Sequence, residues 1–326
     1  MYLDRSKVLS YNAYLNFIVL KRGYGKGWTF KDLIISEFIK SGKKSIWVRR
    51  YKPELKKAKS KFLGDIVDNF PEHKLSVRGN ALYVDNKLAV EFMTLTDAQD
   101  AKSSSFDGYI YLIFDEFIIE GKAKHYIGEE CTIFSSLMST FFRDKSDRKI
   151  FLLGNKVKTV NPYSIFFNLP DFDCVKYLPN RAILVYAKDN DGQIEDNYID
   201  TPLEKILRGT PYYDYALCNN SLNDSNAFIM KRPSTLKTAY VININGTPVG
   251  LFFDTQSSKI FFDVKCDTTV ATKYTFNRDN MAEGYMLLSK RFAISKMISE
   301  AYTMGRIYFA DLRTKTITQE LLDYLV

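Results

Sequence analysis

Short runs of apolar residues recur along the first half of the chain with stretches of helical period between them. LNFIVL (15–20), SIWVRR (45–50), YIYLIFDEF (109–117) and KIFLLGN (149–155) each read as a buried strand. Continuous apolar character, rather than alternation, is what a strand covered on both faces requires, so the pattern predicts a mostly parallel sheet with helices on either side. Between the first two runs, TFKDLIISEFIKSG places Leu33, Ile34, Phe38 and Ile39 at helical spacing and ends on Gly42. KLSVRGNALYVDNKLAVEFM alternates instead, and its turn pairs Gly79-Asn80 and Asp85-Asn86 predict antiparallel hairpin strands.

The pattern changes after residue 180. YAKDNDGQIEDNYIDTP is acidic and turn-rich, and a short helix is expected in TPLEKILRGTPYYDYAL, so residues 181–226 read as a linker between an α/β domain at 1–180 and a second domain at 227–326. In the latter, TAYVININGTPVGLFFDTQSSKIFFDVK predicts three short strands. Helices are expected around Tyr285 to Met304 and from Thr318 to Tyr324, which makes this domain α+β.

Composition narrows the class. No run of about 18 apolar residues is present, and the start, MYLDRSKVLSYN, is charged where a secretory leader is apolar, so a soluble intracellular protein without membrane contact is expected. Cys131, Cys174, Cys218 and Cys266 are too widely spaced for a metal clip and read as free thiols. The net charge of +8 is carried by the two domains, which flank the acidic segment, and a basic excess of this kind permits contact with nucleic-acid phosphates.

The chemistry gathers in two places. Arg22-Gly23-Tyr24-Gly25-Lys26-Gly27-Trp28 lies between the first strand and the first long helix, where backbone N–H groups, the helix dipole and a lysine can cradle phosphates. It departs from GxxxxGK[ST] at both ends, with Leu20 for the first glycine and Gly27 for the hydroxyl residue that ligates Mg²⁺. Tyr109 to Phe114 then runs into Asp115-Glu116, 89 residues beyond Lys26, the layout of a strand whose aspartate holds metal and whose glutamate activates water. Asn155 ends the following strand, where P-loop NTPases of the additional-strand type (ASCE) place a polar sensor of the γ-phosphate. Arg143 and Arg148 lie just before that strand on a loop from which an arginine can reach a neighbouring subunit.

SYNAYLNFIVLKRGYGKG, VRRYKPEL (48–55), LIFDEFI (112–118), FFRDK (141–145) and GNKVKTVNPYSIFFNL (154–169) together resemble the DNA-packaging ATPases of small tailed phages of the phi-twenty-nine type. The resemblance covers residues 10–170. It implies that Lys26 contacts the β- and γ-phosphates of ATP, Arg22 belongs to the phosphate loop, Asp115 holds Mg²⁺ and Glu116 is the catalytic glutamate. Arg143 corresponds to a trans-acting finger, and Lys102 is similar to a second basic residue offered across subunits. It further implies a homopentameric ring at the portal (connector) vertex of a procapsid in the host cytoplasm, acting on double-stranded DNA, with a packaging RNA in some members. The second domain resembles an RNase H-type nuclease without its active site, and Asp254, Asp263 and Asp267 there read as turn and capping residues. Lys52, Lys56, Lys57 and Lys102 are candidate DNA contacts, although lysines on a helix such as 52–61 also serve simply to solvate it. A recombinase or helicase on the same fold, and a non-enzymatic nucleic-acid-binding scaffold with a decayed loop, are the alternatives.

Overall fold

A computed structural model describes residues 3–98, 106–119, 126–143, 145–156, 160–187, 202–208 and 227–325. The chain divides into two compact units, Met1–Asn223 and Asp224–Val326. Lys102, His125, Cys218 and most of the acidic segment lie outside the described residues.

In the first unit, α1 (Arg5–Ser10) precedes β1 (Leu15–Leu20), α2 (Lys26–Ser41), β2 (Lys44–Arg49) and α3 (Lys52–Ile66). The hairpin strands follow as β3 (Leu75–Arg78), β4 (Ala81–Val84) and β5 (Lys87–Thr94), and then come β6 (Tyr109–Asp115), α4 (Glu130–Phe142), β7 (Lys149–Asn155), α5 (Pro162–Phe166), β8 (Val175–Leu178) and β9 (Ile183–Ala187). The nine strands form one sheet in the order β3-β4-β5-β2-β6-β7-β1-β9-β8. The six from β5 to β9 in that order are parallel, and the antiparallel pairs lie at the two edges.

The continuous apolar runs are explained by burial on both faces. Phe17, Val19, Ile46, Val48, Leu112 and Phe114 point into one cluster with α4, while Ile18, Leu20, Trp47, Ile113 and Phe151 point into the other with α2 and α3. A helix α6 (Pro202–Leu207) follows the sheet. Strand β9 belongs to the first sheet, so this sheet extends beyond residue 180, where the sequence becomes acidic.

The second unit holds a six-stranded sheet in the order β14-β13-β10-β11-β12-β15, from β10 (Tyr240–Ile244), β11 (Thr247–Asp254), β12 (Lys259–Asp263), β13 (Lys273–Thr275), β14 (Tyr285–Leu287) and β15 (Ile307–Phe309). Helices α7 (Ala293–Thr303) and α8 (Leu312–Leu325) pack on it and on each other. The helix expected over 285–304 is therefore shorter. Tyr285 to Leu287 pair in parallel with β13 instead, and the helix starts only after Phe292. Among the carboxylates, Asp254 accepts from the Gln256 and Ser257 amides and Asp267 from the Thr269 amide and hydroxyl. Asp263 pairs with Arg232 at 2.9 Å and accepts from the Lys265 amide. Each is engaged in a turn or a local ion pair.

Candidate active site at the phosphate loop

The sheet order decides where the candidate residues meet. Strand β7 lies between β1 and β6, so Asn155 at its end stands between the loop that follows Leu20 and the carboxylates that end β6. The loop turns back through Gly23 (φ 86°) and Gly25 (φ 66°), left-handed conformations that glycine adopts without Cβ strain, and Gly25 is the N-cap of α2. Lys26 is thereby the first residue of the helix. Its ammonium, largely buried, donates to the carbonyls of Leu20 (2.8 Å) and Lys21 (2.7 Å) and to Asn155 Oδ1 (2.7 Å).

A cavity of about 380 Å³ opens in front of this lysine, lined by Arg22, Gly23, Gly25, Lys26, Gly27, Asp115, Glu116, Leu153, Gly154 and Asn155. Its floor combines a helix N-terminus, which favours anions, with a lysine and two carboxylates on the opposite wall. Tyr24 and Trp28 do not line it; both pack against the apolar cluster under α2. Gly154 is held to glycine by the core behind the cavity, because a Cβ there would meet the Phe117 ring at 2.8 Å and Ile118 at 3.0 Å.

Arg49, which matches no local catalytic motif in the sequence, organises the carboxylate wall. From the end of β2 its guanidinium donates to Asp115 Oδ2 at 2.6 Å and contacts Glu116 Oε2 at 2.6 Å. Burial works against its charge, but Asp115 and Glu116 outweigh that and hold its pKa above the ordinary arginine value. A charged residue at the end of a fully buried strand costs several kcal/mol unless it is paired, of order 5 or more, and that cost was the available clue in VRRYKPEL. Glu116 itself has φ 58°, an uncommon conformation for a residue with a side chain.

For Mg²⁺ the donor set fits with one gap. The Asp115 carboxylate is the hard oxygen ligand that this ion takes alongside phosphate oxygens and water. Gly27 supplies no hydroxyl, and Thr29 does not substitute for it: its hydroxyl is buried in α2 without a hydrogen-bond partner among the described residues, away from the cavity. A Cβ at Gly27 would meet nothing within 4 Å. Gly27→Ser is therefore expected to fit, to stabilise the helix by about 0.5 kcal/mol, and to lower the Mg²⁺ concentration that half-saturates nucleotide binding severalfold. An unchanged Mg²⁺ midpoint in a fluorescent-nucleotide titration would mean that water already completes the metal shell.

The remaining candidates lie elsewhere. Arg143 is at the C-cap of α4 with φ 42° and lines an apolar groove with Tyr14, Leu15, Phe142 and Ile183. Leu15 begins the strand that ends at the phosphate loop, so Arg143 lies at the opposite end of the sheet, about 20 Å from Lys26 by strand rise. Arg148, read from sequence as a loop arginine, is buried and donates to the carbonyls of Phe141 and, at 2.6 Å, Phe106, which closes the end of α4. On α3, Leu55, Phe62 and Ile66 face inward while Lys56 and Lys57 are exposed, and Lys52 pairs with Asp97 at 3.2 Å.

A parallel sheet with the sensor strand between the loop strand and the Asp-Glu strand, and with these side chains gathered on one cavity, defines a P-loop fold of the additional-strand class. Within that class, the chain belongs to the family of podovirus DNA encapsidation proteins (Gp16), whose description it matches over residues 1–325. It is 33% identical over 325 residues to the DNA packaging protein of Bacillus phage phi29, covering 98% of this chain and 97% of the relative. To that of Bacillus phage B103 it is 34% identical over 318 residues, covering 96% and 98%. The structure matches a chain of the bacteriophage phi29 genome packaging motor assembly with a TM-score of 0.81 at 32% identity, over 100% of this chain and 99% of that one. It also matches the N-terminal domain of the phi29 DNA packaging ATPase at 38% identity, TM-score 0.53, over 58% of this chain and 96% of that one.

Proposed function

We propose that this protein is an ATP hydrolase that drives double-stranded DNA into a procapsid as a ring of identical subunits, a homopentamer, bound to the portal vertex in the host cytoplasm. The observation that carries this reading is the convergence of Lys26, Asn155, Asp115 and Glu116 on one cavity at a helix N-terminus, in a chain of the DNA encapsidation family. Lys26 is pre-positioned by three oxygens, and the incoming triphosphate replaces Asn155 as one of its partners. Asp115 holds Mg²⁺, which when bound neutralises phosphate charge. Glu116, released from Arg49, accepts a proton from the attacking water.

Arg143 is too far from its own Lys26 to act there, and the same subunit's finger therefore serves the next site around the ring. DNA contacts, with Lys52, Lys56, Lys57 and Lys102 as candidates, run to phosphates, as packing a whole genome without regard to sequence requires. The portal protein and, as in some relatives, a packaging RNA are the expected partners. The second unit is read as a nuclease-like domain that does not cut.

The test is the ATPase rate of the full chain assembled on portal, with and without duplex DNA, beside Lys26→Ala. We expect DNA-stimulated hydrolysis that the substitution lowers at least about 100-fold. A wild-type protein without ATPase on portal would favour the scaffold reading instead. Strand separation by the active enzyme would favour the helicase.

A further inference from the structure

Arg50, immediately after the end of β2 and turned away from Arg49, is as deeply buried as any charged side chain among the described residues. Its guanidinium makes a fork with Glu130, Nε to Oε2 at 2.7 Å and one terminal nitrogen to Oε1 at 2.8 Å. The same group donates to the backbone carbonyls of Glu116 (3.0 Å) and Phe117 (2.6 Å). Glu130 opens α4, and its carboxylate also accepts from the Ile127 amide (2.9 Å) and the Tyr163 hydroxyl (2.7 Å). Two sequence stretches, VRRYKPEL and NPYSIFFNL, thus meet on the first residue of one helix.

Fold stability alone is a weak reason for such a node, since burying an ion pair costs as much as its attraction returns, and apolar residues of equal volume hold a core at least as well. What the node does supply is a fixed connection. At one end it grips the backbone of Glu116, which is held at φ 58° against its intrinsic preference. At the other it grips α4, a continuous 13-residue helix about 20 Å long, seated on the core through Cys131, Phe134, Leu137 and Phe141. Arg143 stands at the far end of that helix, also at positive φ, and Arg148 fixes the last turn through the Phe141 carbonyl.

We propose that Arg50 is a positioning residue: with Glu130 and Tyr163 it ties the backbone of Glu116 to α4, so that the nucleotide state of one site sets the placement of Arg143 at the other end of the same subunit. The proposal rests on the trans-finger reading for its use in a ring, but the linkage itself is a property of the single chain. Adjacent arginines divide the work. Arg49 holds the Glu116 carboxylate and Arg50 holds the Glu116 backbone, so a nucleotide that shifts Glu116 would be felt at α4 through Arg50.

The experiment is amide hydrogen exchange on the full chain with and without a non-hydrolysable ATP analogue and Mg²⁺. In the wild type, addition of the analogue is expected to change exchange at Ser139 to Arg143 by at least about threefold. In the volume-matched variant Arg50→Met, Glu130→Leu, Tyr163→Phe the response is expected to vanish, while the analogue still binds within about twofold of wild type. Arg50→Lys, which keeps a buried cation but loses the fork to Glu130 and the paired donation to the Glu116 and Phe117 carbonyls, carries the same expectation should the triple variant fail to fold. A response retained in a folded variant, or absent from the wild type, overturns the proposal. The trans-finger reading fails separately, through an Arg143→Ala ring of undiminished ATPase, and that result leaves the exchange response of the single chain standing.

Discussion

Arg143→Ala rings are expected to hydrolyse ATP at least about 10³-fold more slowly than wild type, the usual loss when an arginine that neutralises transition-state charge is removed. The isolated variant chain is expected to bind nucleotide as the wild type does, because Arg143 lines a groove at the opposite end of the sheet from Lys26. This separation makes a complementation test possible. Subunits carrying Lys26→Ala have an intact finger and a dead cradle, and Arg143→Ala subunits the reverse. Mixed at equal amounts in a closed ring with head-to-tail contacts, about a quarter of the sites pair an intact cradle with an intact finger. Recovery of hydrolysis from two inactive parents is the expected result, and its complete absence would place the role of Arg143 outside the neighbouring site.

Glu116→Gln is the second large effect. Amide for carboxylate preserves size and removes the proton acceptor, so kcat is expected to fall about 10²- to 10⁴-fold with little change in nucleotide affinity. The Arg49 contact sharpens this expectation. Glu116 shares Arg49 with Asp115, and the neutral glutamine leaves that guanidinium with one carboxylate where it had two. Single-turnover measurements separate the outcomes. A variant that binds ATP and Mg²⁺ normally yet fails to cleave supports the assignment, whereas one that cleaves at the wild-type rate removes Glu116 from the chemistry.

The α/β architecture was legible because buried parallel strands and a flanking amphipathic helix leave strong periodic marks. LNFIVL, SIWVRR, YIYLIFD and KIFLLGN all became parallel strands of one sheet, and the turn pairs Gly79-Asn80 and Asp85-Asn86 both lie between hairpin strands. Local motifs likewise located Lys26, Asp115, Glu116 and Asn155, which converge on the cavity. What the sequence concealed depends on contacts between distant segments. Arg49 meets Asp115 66 residues away, and Arg50 meets Glu130 80 residues away. Nothing periodic announces such pairs, and the only sign is the cost of placing two arginines at the end of an apolar strand. Tyr285 to Leu287 carry no strand signal in the sequence because a three-residue strand is too short to show alternation, and its pairing with β13 is non-local. Tyr24 and Trp28 sit within the loop motif but spend their aromatic surface on the core.

The bridge from Arg49 to the two carboxylates also bears on how fast nucleotide arrives. The Arg49 charge offsets one of the two carboxylates, and an incoming triphosphate meets Arg22, Lys26 and the N-terminal end of α2 beside them. An opening of that sign draws anions in, and the encounter slows as added salt shortens the range of the attraction. One guanidinium against two carboxylates leaves the mouth with three cations to two anions, Arg49 included, a balance that favours the capture of an anion.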